Sequence, residues 1–221
     1  MSAAPERLYV VLTMRGVRLS KRRLEVAVSA AERERLNRWL LARTLETVGS
    51  WLDGLERCVF VSVCDEALAC ARRAGALTLE EPGGARGHNH AAGVGVAHAA
   101  RLGAEKAMLL PCDLPYLSAD ALDDFAARAS LYGLVLAPDR HGTGTNAVIV
   151  DARSDIEFKF GDDSLARYRD WAQASGLRVS VCARRELGFD LDTPEDLAAW
   201  RVSVGTDYEY SKETAAHTRG G

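Results

Sequence analysis

The sequence predicts an α/β fold in which helices cover both faces of a mostly parallel β-sheet. Short apolar runs rich in β-branched residues alternate along the chain with longer segments of helical periodicity, and this alternation is typical of parallel strands joined by helical crossovers. The chain has 221 residues and neither an internal repeat nor a low-complexity linker, which fits a single domain with a substantial core. We therefore expect one domain over residues 1–205 and a polar tail over residues 206–221.

Each element of this fold follows from its local pattern. The apolar runs predict strands over residues 8–12, 58–63, 107–110, 133–137, 146–150 and 177–181. Helical spacing predicts helices over residues 29–52, 66–74, 90–102, 119–130, 164–174 and 194–201. Ser118 and Thr193 are expected to cap two of these helices, the second with Pro194 at its first position. Glu195 and Asp196 are expected to be no more than favourable charges in that first turn. Because ligands of such sheets bind beyond the carboxyl ends of the strands, we expect the chemistry there.

The charge balance and the cysteine pattern exclude several classes of protein. Lys and Arg number 28 and Asp and Glu number 31, so the net charge is −3, which argues against a nucleic-acid-binding protein held by a general basic field. No apolar stretch reaches the roughly 18–20 residues that cross a bilayer, and the first residues lack the pattern of a secretory signal. The five cysteines form no CxxC pair, so neither a zinc site nor a disulfide framework is indicated. We expect a cytoplasmic protein that binds neither nucleic acid nor membrane.

Three aspartates are the strongest candidates for a catalytic centre. Asp113 follows the predicted strand 107–110 closely, and Pro115 then turns the chain away. Asp190 and Asp192 alternate along an extended segment, so their side chains share one face. Like charges on one face repel unless a cation or hydrogen-bond donors hold them, and short carboxylates suit Mg²⁺. The alternatives are that Asp113 caps a turn, that Asp192 caps the following helix and that Asp190 is solvated.

Two glycine-containing loops are candidate anion sites. In residues 138–146 the glycines allow positive φ and close backbone approach, and Thr145 and Asn146 add short donors. Gly161 and Ser164 belong to a second loop, where Ser164 would cap a helix whose N-terminus attracts anions. Either loop suits a phosphate or carboxylate; the open alternative for the first loop is a plain hairpin-like turn.

Basic and histidine-rich segments supply further candidates. The densest basic run contains Arg18, Lys21, Arg22 and Arg23. Such a run is either a solvated helix face or a site that neutralises a triphosphate. Nothing near His88 and His90 completes a metal site, whereas Asn89 between them is a candidate for contacts to a base or ribose. The sequence has neither GxGxxG nor GxxxxGK[ST], which disfavours a dinucleotide-binding or P-loop protein.

Taken together, these segments resemble the 2-phospho-L-lactate guanylyltransferase family, which makes the activated precursor of the deazaflavin coenzyme F-420. The resemblance runs over most of the chain, from about residue 10 to about residue 200. Its landmarks, in order, are Lys21-Arg22-Arg23-Leu24, Ala31-Glu32-Arg33, Asp113-Leu114-Pro115, Pro138-Asp139-Arg140, Gly144-Thr145-Asn146, Phe160-Gly161-Asp162-Asp163-Ser164 and Asp190-Leu191-Asp192-Thr193-Pro194. The resemblance implies a three-layer α/β/α nucleotidyltransferase-like fold of the GT-A or Rossmann-like kind, with a mixed, mostly parallel central sheet.

The resemblance also implies a reaction and a set of residue roles. GMP would pass from GTP to the phosphate of 2-phospho-L-lactate, phosphoenolpyruvate or 3-phospho-D-glycerate, and pyrophosphate would be released. The implied catalytic residues are Asp113, Asp190, Asp192 and Lys21, of which the three aspartates would hold Mg²⁺. The implied residues for the acid are Thr145, Asn146, Gly161 and Ser164, and those for the nucleotide are Lys21, Arg23, Asn89 and Asp113. A homodimer is one option for the assembly.

The chain departs from the family pattern in its first loop. Family members usually carry a Lys seven residues before the position of Lys21, but Met14 stands there with Arg15 beside it. The remaining hypotheses are a molybdopterin-type nucleotidyltransferase, a GT-A glycosyltransferase that uses Asp190 and Asp192, and a GTP-binding protein without catalysis. The first usually has a glycine-rich loop that is poorly represented here, the second leaves the glycine-containing loops unexplained, and the third predicts GTP binding without pyrophosphate release.

Overall fold

A computed structural model describes residues 5, 7–17, 21–81 and 87–204 of the chain, and in this part seven strands form one sheet. The strand order is β3-β2-β1-β4-β6-β5-β7. Strand β6 is antiparallel to both of its neighbours, β4 and β5, whereas the other neighbouring pairs are parallel. The strands are β1 Leu8–Thr13, β2 Cys58–Ser62, β3 Leu77–Glu80, β4 Lys106–Pro111, β5 Leu134–Pro138, β6 Thr145–Asp151 and β7 Val179–Val181.

Helices connect most of these strands. The α-helices of the described residues are α1 Ala30–Leu52, α2 Asp65–Arg73, α3 His88–Arg101, α4 Ala119–Ala127, α5 Ser164–Ala174, α6 Arg185–Gly188 and α7 Pro194–Val204, and two 3₁₀ turns span Arg22–Val26 and Arg128–Ser130. Among the helices of this described part, none combines the length and the apolar character that a membrane crossing requires.

The predicted fold class is confirmed. All six predicted strands are present, with ends shifted by at most two residues. Strand β3 was not predicted because it is short, lies at the edge of the sheet and is only partly buried, so it lacks a continuous apolar run. Ser118 caps α4 as predicted, since its Oγ accepts the amide hydrogen of Ala121 at 3.3 Å. The tail over residues 206–221 lies outside the described residues, and the division into one domain and a tail stays a prediction.

Alternate residues of the strands face two different helical layers. In β1, Val10 and Leu12 belong to the hydrophobic cluster that includes α1, α2 and α4. Val11, between them, belongs to the cluster that includes α3 and α5. The sheet is therefore buried on both faces, as a mostly parallel sheet must be.

The register of the central strands brings several chain segments to one edge of the sheet. Thr13, the last residue of β1, pairs with Pro111, the last residue of β4. Because β6 runs in the opposite direction, its first residue, Thr145, lies at the edge where β4 ends. The loops that follow β1 and β4 and the loop that precedes β6 therefore meet at this edge.

A third hydrophobic cluster lies beside that edge. It joins the 3₁₀ turn, α1, α7 and the segment between α6 and α7. Its buried members are Leu24, Leu36, Leu40, Phe189, Leu191, Leu197 and Trp200. This cluster fixes the segment that carries Asp190 and Asp192, because Phe189 and Leu191 are buried in it.

Helix α3 packs so closely on the sheet that Gly95 leaves no room for a side chain. A Cβ at this position would lie 2.4 Å from Cγ1 of Val11 and 3.0 Å from Cγ2 of Val61. We expect Gly95→Ala to lower the free energy of unfolding by about 1–3 kcal/mol, the usual cost of overpacking. Urea unfolding monitored by circular dichroism measures the change.

Gly93 on the same helix is the matched control. A Cβ there would meet Cδ2 of Phe158 at 3.9 Å, an ordinary contact. Gly93→Ala should therefore stabilise the protein by up to about 1 kcal/mol, because alanine is the better helix former. Similar effects of the two substitutions would contradict the close packing at Gly95.

Candidate functional site

Three aspartates meet beyond the end of β4. Asp113 follows this strand by two residues, and its carbonyl oxygen accepts the amide hydrogen of Leu191 at 3.1 Å. Since Phe189 and Leu191 point into the third cluster, the side chains of Asp190 and Asp192 face the opposite way along this extended segment. The structure therefore brings the three carboxylates together from positions far apart in the sequence.

The ammonium group of Lys21 lies between two of these carboxylates. Its Nζ is 2.9 Å from Oδ1 of Asp192 and 3.3 Å from Oδ2 of Asp113, and only 4% of the side chain is exposed. Burial lowers the pKa of Lys21, but the two carboxylates outweigh it and hold the pKa above its ordinary value. Lys21 is thus a buried, charged group rather than part of a solvated face.

The other members of the basic run have different positions. Arg22 and Arg23 are exposed in the 3₁₀ turn that starts directly after Lys21, and both line the cavity next to it. Arg15 lines the same cavity. Arg18 lies outside the described residues. This cavity therefore has several cationic side chains in its wall.

The pKa of Asp190 responds to its buried position and to the two neighbouring carboxylates. Burial first, and then the charges of Asp113 and Asp192, raise its pKa to about 6. Nδ2 of Asn146 donates to Oδ1 of Asp190 at 3.3 Å and to the carbonyl oxygen of Leu187 at 3.1 Å. The predicted acid-binding residue Asn146 thus supports the aspartate segment directly.

Several buried oxygens of the site have no hydrogen-bond partner among the described residues: Oδ1 of Asp113, Oγ1 of Thr145 and Oγ of Ser164. An unpartnered buried oxygen is costly unless a ligand satisfies it. Carboxylate oxygens of this kind fit a hard divalent cation. The described residues do not, however, hold three metal-ligating side chains already gathered around one point, since Lys21 lies between Asp113 and Asp192.

Two cavities meet at the carboxylates. One, of about 440 Å³, is lined by the basic residues and by Lys21. The other, of about 400 Å³, is lined by the loops that contain Thr145 and Gly161. Their shared wall contains His88, Pro111, Asp113 and Asp192. Two small polar molecules bound in these cavities would therefore meet beside the carboxylates.

The two glycine-containing loops form one wall of the second cavity. The amide of Leu165 donates to the carbonyl oxygen of Thr143 at 3.1 Å, which ties the two loops together. Thr145, Asn146 and Gly161 line the cavity, whereas Ser164 is fully buried behind it. The expectation that Ser164 caps α5 is wrong: Asp163 occupies the N-cap position with a left-handed backbone, and Ser164 is the first helical residue.

Asn89 contacts the same wall rather than an open cavity. Its Oδ1 accepts the amide hydrogen of Phe160 at 2.7 Å, and its Nδ2 donates to the carbonyl oxygen of Phe160 at 3.3 Å. The side chain thereby holds the loop in front of Gly161. A direct contact between Asn89 and a nucleotide stays a prediction.

His88 is a site residue whose position the sequence did not indicate. Its Nδ1 is 3.1 Å from Oγ1 of Thr13, and its ring packs edge-on against Phe160 with centroids 4.4 Å apart. Burial lowers the pKa of His88, so the ring is neutral at physiological pH. His88 therefore contributes a neutral polar side chain to the wall that the two cavities share.

Asp196 is a second residue whose role the sequence analysis missed. Its Oδ2 accepts the amide hydrogens of Asp192 at 2.9 Å and Thr193 at 2.7 Å, and it is 2% exposed. Oγ1 of Thr193 accepts the amide hydrogen of Asp196 in return, at 3.3 Å, so Thr193 caps α7 as predicted. The cap that the alternative hypothesis gave to Asp192 is thus supplied by Thr193 and Asp196. The spacing Thr193-x-x-Asp196 is that of a capping box, which was the available signal.

Comparisons with known proteins cover all of these segments. The sequence matches the family described as guanylyl transferase CofC like over residues 8–213. The phosphoenolpyruvate guanylyltransferase of Sphaerobacter thermophilus is 34% identical over 203 residues, which cover 91% of this chain and 97% of that protein. The 3-phospho-D-glycerate guanylyltransferase of Phenylobacterium zucineum is 36% identical over 192 residues, which cover 84% of this chain and 86% of that protein.

A solved structure supports the fold. A nucleotidyl transferase from Methanothermobacter thermautotroptrophicus superposes with a TM-score of 0.64 at 15% identity, over 90% of this chain and 98% of that one. At this identity the similarity concerns the fold alone, and it agrees with the nucleotidyltransferase-like α/β/α architecture that the sequence predicts.

We expect Asp190→Asn to stabilise the metal-free protein above pH 7. Because the pKa of Asp190 is raised from 3.8 to about 6, the folded chain holds this proton more tightly than the unfolded chain, and stability falls as the pH rises through this interval. Asparagine removes that cost, which should raise the free energy of unfolding by roughly 1–3 kcal/mol above pH 7 and by little near pH 4. Urea unfolding with a chelator present, repeated across this pH range, measures the difference.

Asp192→Asn is the control for this prediction. Asp192 accepts a hydrogen bond from Lys21 at 2.9 Å, so its loss leaves a buried ammonium with one carboxylate fewer and should lower stability at pH 7. If both substitutions changed stability in the same direction at pH 7, the charge balance described for this site would be wrong.

Proposed function

We propose that this chain, which belongs to the guanylyl transferase CofC-like family, transfers GMP from GTP to the phosphate of a three-carbon acid and releases pyrophosphate. The family makes the chain a nucleotidyltransferase; the base, the acid and the pathway are the parts that we propose. The acid is phosphoenolpyruvate, 3-phospho-D-glycerate or 2-phospho-L-lactate, and two relatives are named for the first two. The product would be the activated precursor of coenzyme F-420.

The meeting of two cavities at the carboxylates carries this proposal. The cavity with Arg15, Arg22 and Arg23 in its wall suits a triphosphate, because guanidinium groups pair well with phosphate oxygens. The cavity lined by Thr145 and Gly161 would hold the acid, but five aspartates also line this cavity. The acid would therefore bind there together with a cation that offsets their charge. The α-phosphorus of the nucleotide and the phosphate of the acid would then lie next to each other at Asp113 and Asp192.

The chemistry needs no general base. A phosphate monoester oxygen of the acid is already anionic at neutral pH. It attacks the α-phosphorus, a new bond forms between this oxygen and the phosphorus, and the bond to the β-phosphate oxygen breaks as pyrophosphate leaves. The main obstacle is repulsion between two polyanions. Lys21 and Arg23 would reduce this repulsion at the triphosphate.

Asp113, Asp190 and Asp192 are the residues that would hold Mg²⁺. Their fit rests on the unpartnered Oδ1 of Asp113 and on the contacts of Lys21 with Asp113 and Asp192, which place a cation between these two carboxylates. When bound, Mg²⁺ would neutralise phosphate charge and align the reacting groups. An ion bound to the carboxylate oxygens that Lys21 contacts would compete with its ammonium group, and Lys21 would then be free to pair with the nucleotide.

We propose a cytoplasmic enzyme that acts on two small molecules and has neither a nucleic acid nor a membrane as partner. A homodimer stays a prediction.

We expect pyrophosphate release from GTP and Mg²⁺ to depend on one of the three acids, each supplied separately. Asp113→Asn should lower the turnover number at least about 100-fold, because a carboxylate that would hold the metal becomes neutral. An enzyme-coupled pyrophosphate assay measures both effects. Asp151→Asn, at the opposite end of the neighbouring strand β6, is the control and should leave turnover unchanged. If GTP bound but none of the three acids led to pyrophosphate release, the proposed reaction would be rejected. Near-normal turnover of Asp113→Asn would reject the metal assignment.

We expect Lys21→Met to separate catalysis from metal binding. Turnover should fall at least about 100-fold, because a cation that would neutralise the triphosphate is lost. Mn²⁺ should bind at least as tightly as to the wild type when no nucleotide is present, because an ammonium group no longer competes for Asp113 and Asp192. Electron paramagnetic resonance of free Mn²⁺ measures this affinity.

Lys106→Met is the control, since Lys106 is the first residue of β4 and Asp113 follows the other end of this strand. It should change neither quantity. If Lys21→Met weakened Mn²⁺ binding without nucleotide, competition between the ammonium group and the metal would be ruled out.

A further inference from the structure

Arg140 connects the two halves of the site without lining either cavity. It lies in the loop between β5 and β6, two residues after Pro138. Its guanidinium group forms an ion pair with Asp196 and lies 5.3 Å from the centroid of the Phe189 ring. Both contacts are made to the chain segments that flank Asp190 and Asp192.

Asp196 links Arg140 to the backbone of residues 192 and 193. Its carboxylate is divided between two kinds of partner: Oδ1 contacts Arg140, and Oδ2 accepts the amide hydrogens of Asp192 and Thr193. Because Asp196 is 2% exposed, its charge is costly unless it is paired. Burial alone would raise its pKa, but the two amides, Thr193 and Arg140 outweigh burial and hold the pKa below its ordinary value.

The loop and the aspartate segment are also packed backbone to backbone. A Cβ at Gly188 would lie 3.1 Å from the carbonyl oxygen of Pro138 and 3.7 Å from the amide nitrogen of Arg140. Asn146, the second residue of β6, donates to the carbonyl oxygen of Leu187 at 3.1 Å. A shift of the loop that precedes β6 is therefore passed directly to residues 187–192.

We propose that Arg140 is a positioning residue that acts through Asp196 to hold the backbone of Asp192 in place for the metal, an inference that rests on the proposed function. Arg140 contributes a positive charge that contacts the carboxylate of Asp196 and a planar group that lies beside Phe189. Asp196 in turn fixes the amide of Asp192. Residues that orient metal ligands from the next layer typically contribute about 10–100-fold to metal affinity or activity.

The alternative is that the ion pair only stabilises the fold. A purely structural ion pair would change the melting temperature and leave the metal affinity of the folded protein unchanged. The Arg128–Asp124 pair is a suitable comparison, because the two arginines are 35% and 32% exposed and Arg128 pairs with an aspartate one helical turn away on α4, outside both cavities.

The experiment compares Arg140→Gln, Arg140→Lys, Asp196→Asn and the double variant Arg140→Gln/Asp196→Asn with Arg128→Gln. The measurements are the Mn²⁺ dissociation constant with GTP bound, kcat, the KM for GTP and the melting temperature, with all binding data taken well below that temperature. We expect Arg140→Gln to raise the Mn²⁺ dissociation constant and to lower kcat, each about 10-fold or more. The KM for GTP should stay within about threefold, since Arg140 does not line the nucleotide cavity.

The remaining variants decide between the two roles. Arg140→Lys keeps the charge but loses the planar fork, and it should fall between the wild type and Arg140→Gln. The double variant should be no worse than Asp196→Asn alone, because residues that act through one another are not additive. Arg128→Gln should leave Mn²⁺ binding and kcat unchanged.

Two outcomes would overturn the inference, and they are distinguishable from failure of the proposed function. Arg140→Gln that binds Mn²⁺ like the wild type would reduce Arg140 to a structural role, and so would additive effects in the double variant. Wild-type protein that bound no Mn²⁺ and released no pyrophosphate would overturn the proposed function and this inference with it.

Discussion

The balance between three carboxylates and one buried ammonium group is the constraint on which the site depends. Asp113, Asp190 and Asp192 share one edge of the sheet, and their mutual repulsion contributes to the raised pKa of Asp190. Lys21 offsets two of these charges while it is almost fully buried. Isolated buried charges are costly, so this arrangement persists because the surrounding structure holds every member in place.

One packing unit provides most of that support. The third hydrophobic cluster contains Phe189 and Leu191, which alternate with the two aspartates, and it also contains Leu24, three residues after Lys21. The same apolar contacts therefore place the ammonium group, its partner Asp192 and the neighbouring Asp190. Packing and charge therefore act together in this site. The hydrophobic cluster fixes the backbone positions of Lys21 and the two aspartates, and the ion pairs form between side chains that these positions bring together.

Local patterns in the sequence were sufficient for six of the seven strands and for the caps Ser118 and Thr193. Burial on both faces of the sheet gives β1, β2 and β4 continuous apolar runs, which are easy to recognise. Local patterns were insufficient for Lys21. Its partners lie 92 and 171 positions away in the sequence, so a basic run gave no indication that one member was buried. Asp196 was misjudged for a similar reason: its spacing from Thr193 predicts a cap, but its charge partner, Arg140, comes from another part of the chain. The family resemblance assigned the three aspartates a common role as Mg²⁺ ligands, which their local patterns alone left open.

Strand β6, the one reversed strand among the described residues, has a consequence for how this scaffold can diversify. Because β5 ends and β6 begins at the same edge, the loop over residues 139–144 enters and leaves the site within one short stretch of surface. The cationic groups that are proposed to contact the triphosphate lie instead in the connection between β1 and α1. Surface loops tolerate changes of sequence and length far better than the strands that carry them. Under the proposed function, changes at residues 141–144 would retune the acceptor specificity locally, whereas Arg140 in the same hairpin is tied to the aspartate segment through Asp196.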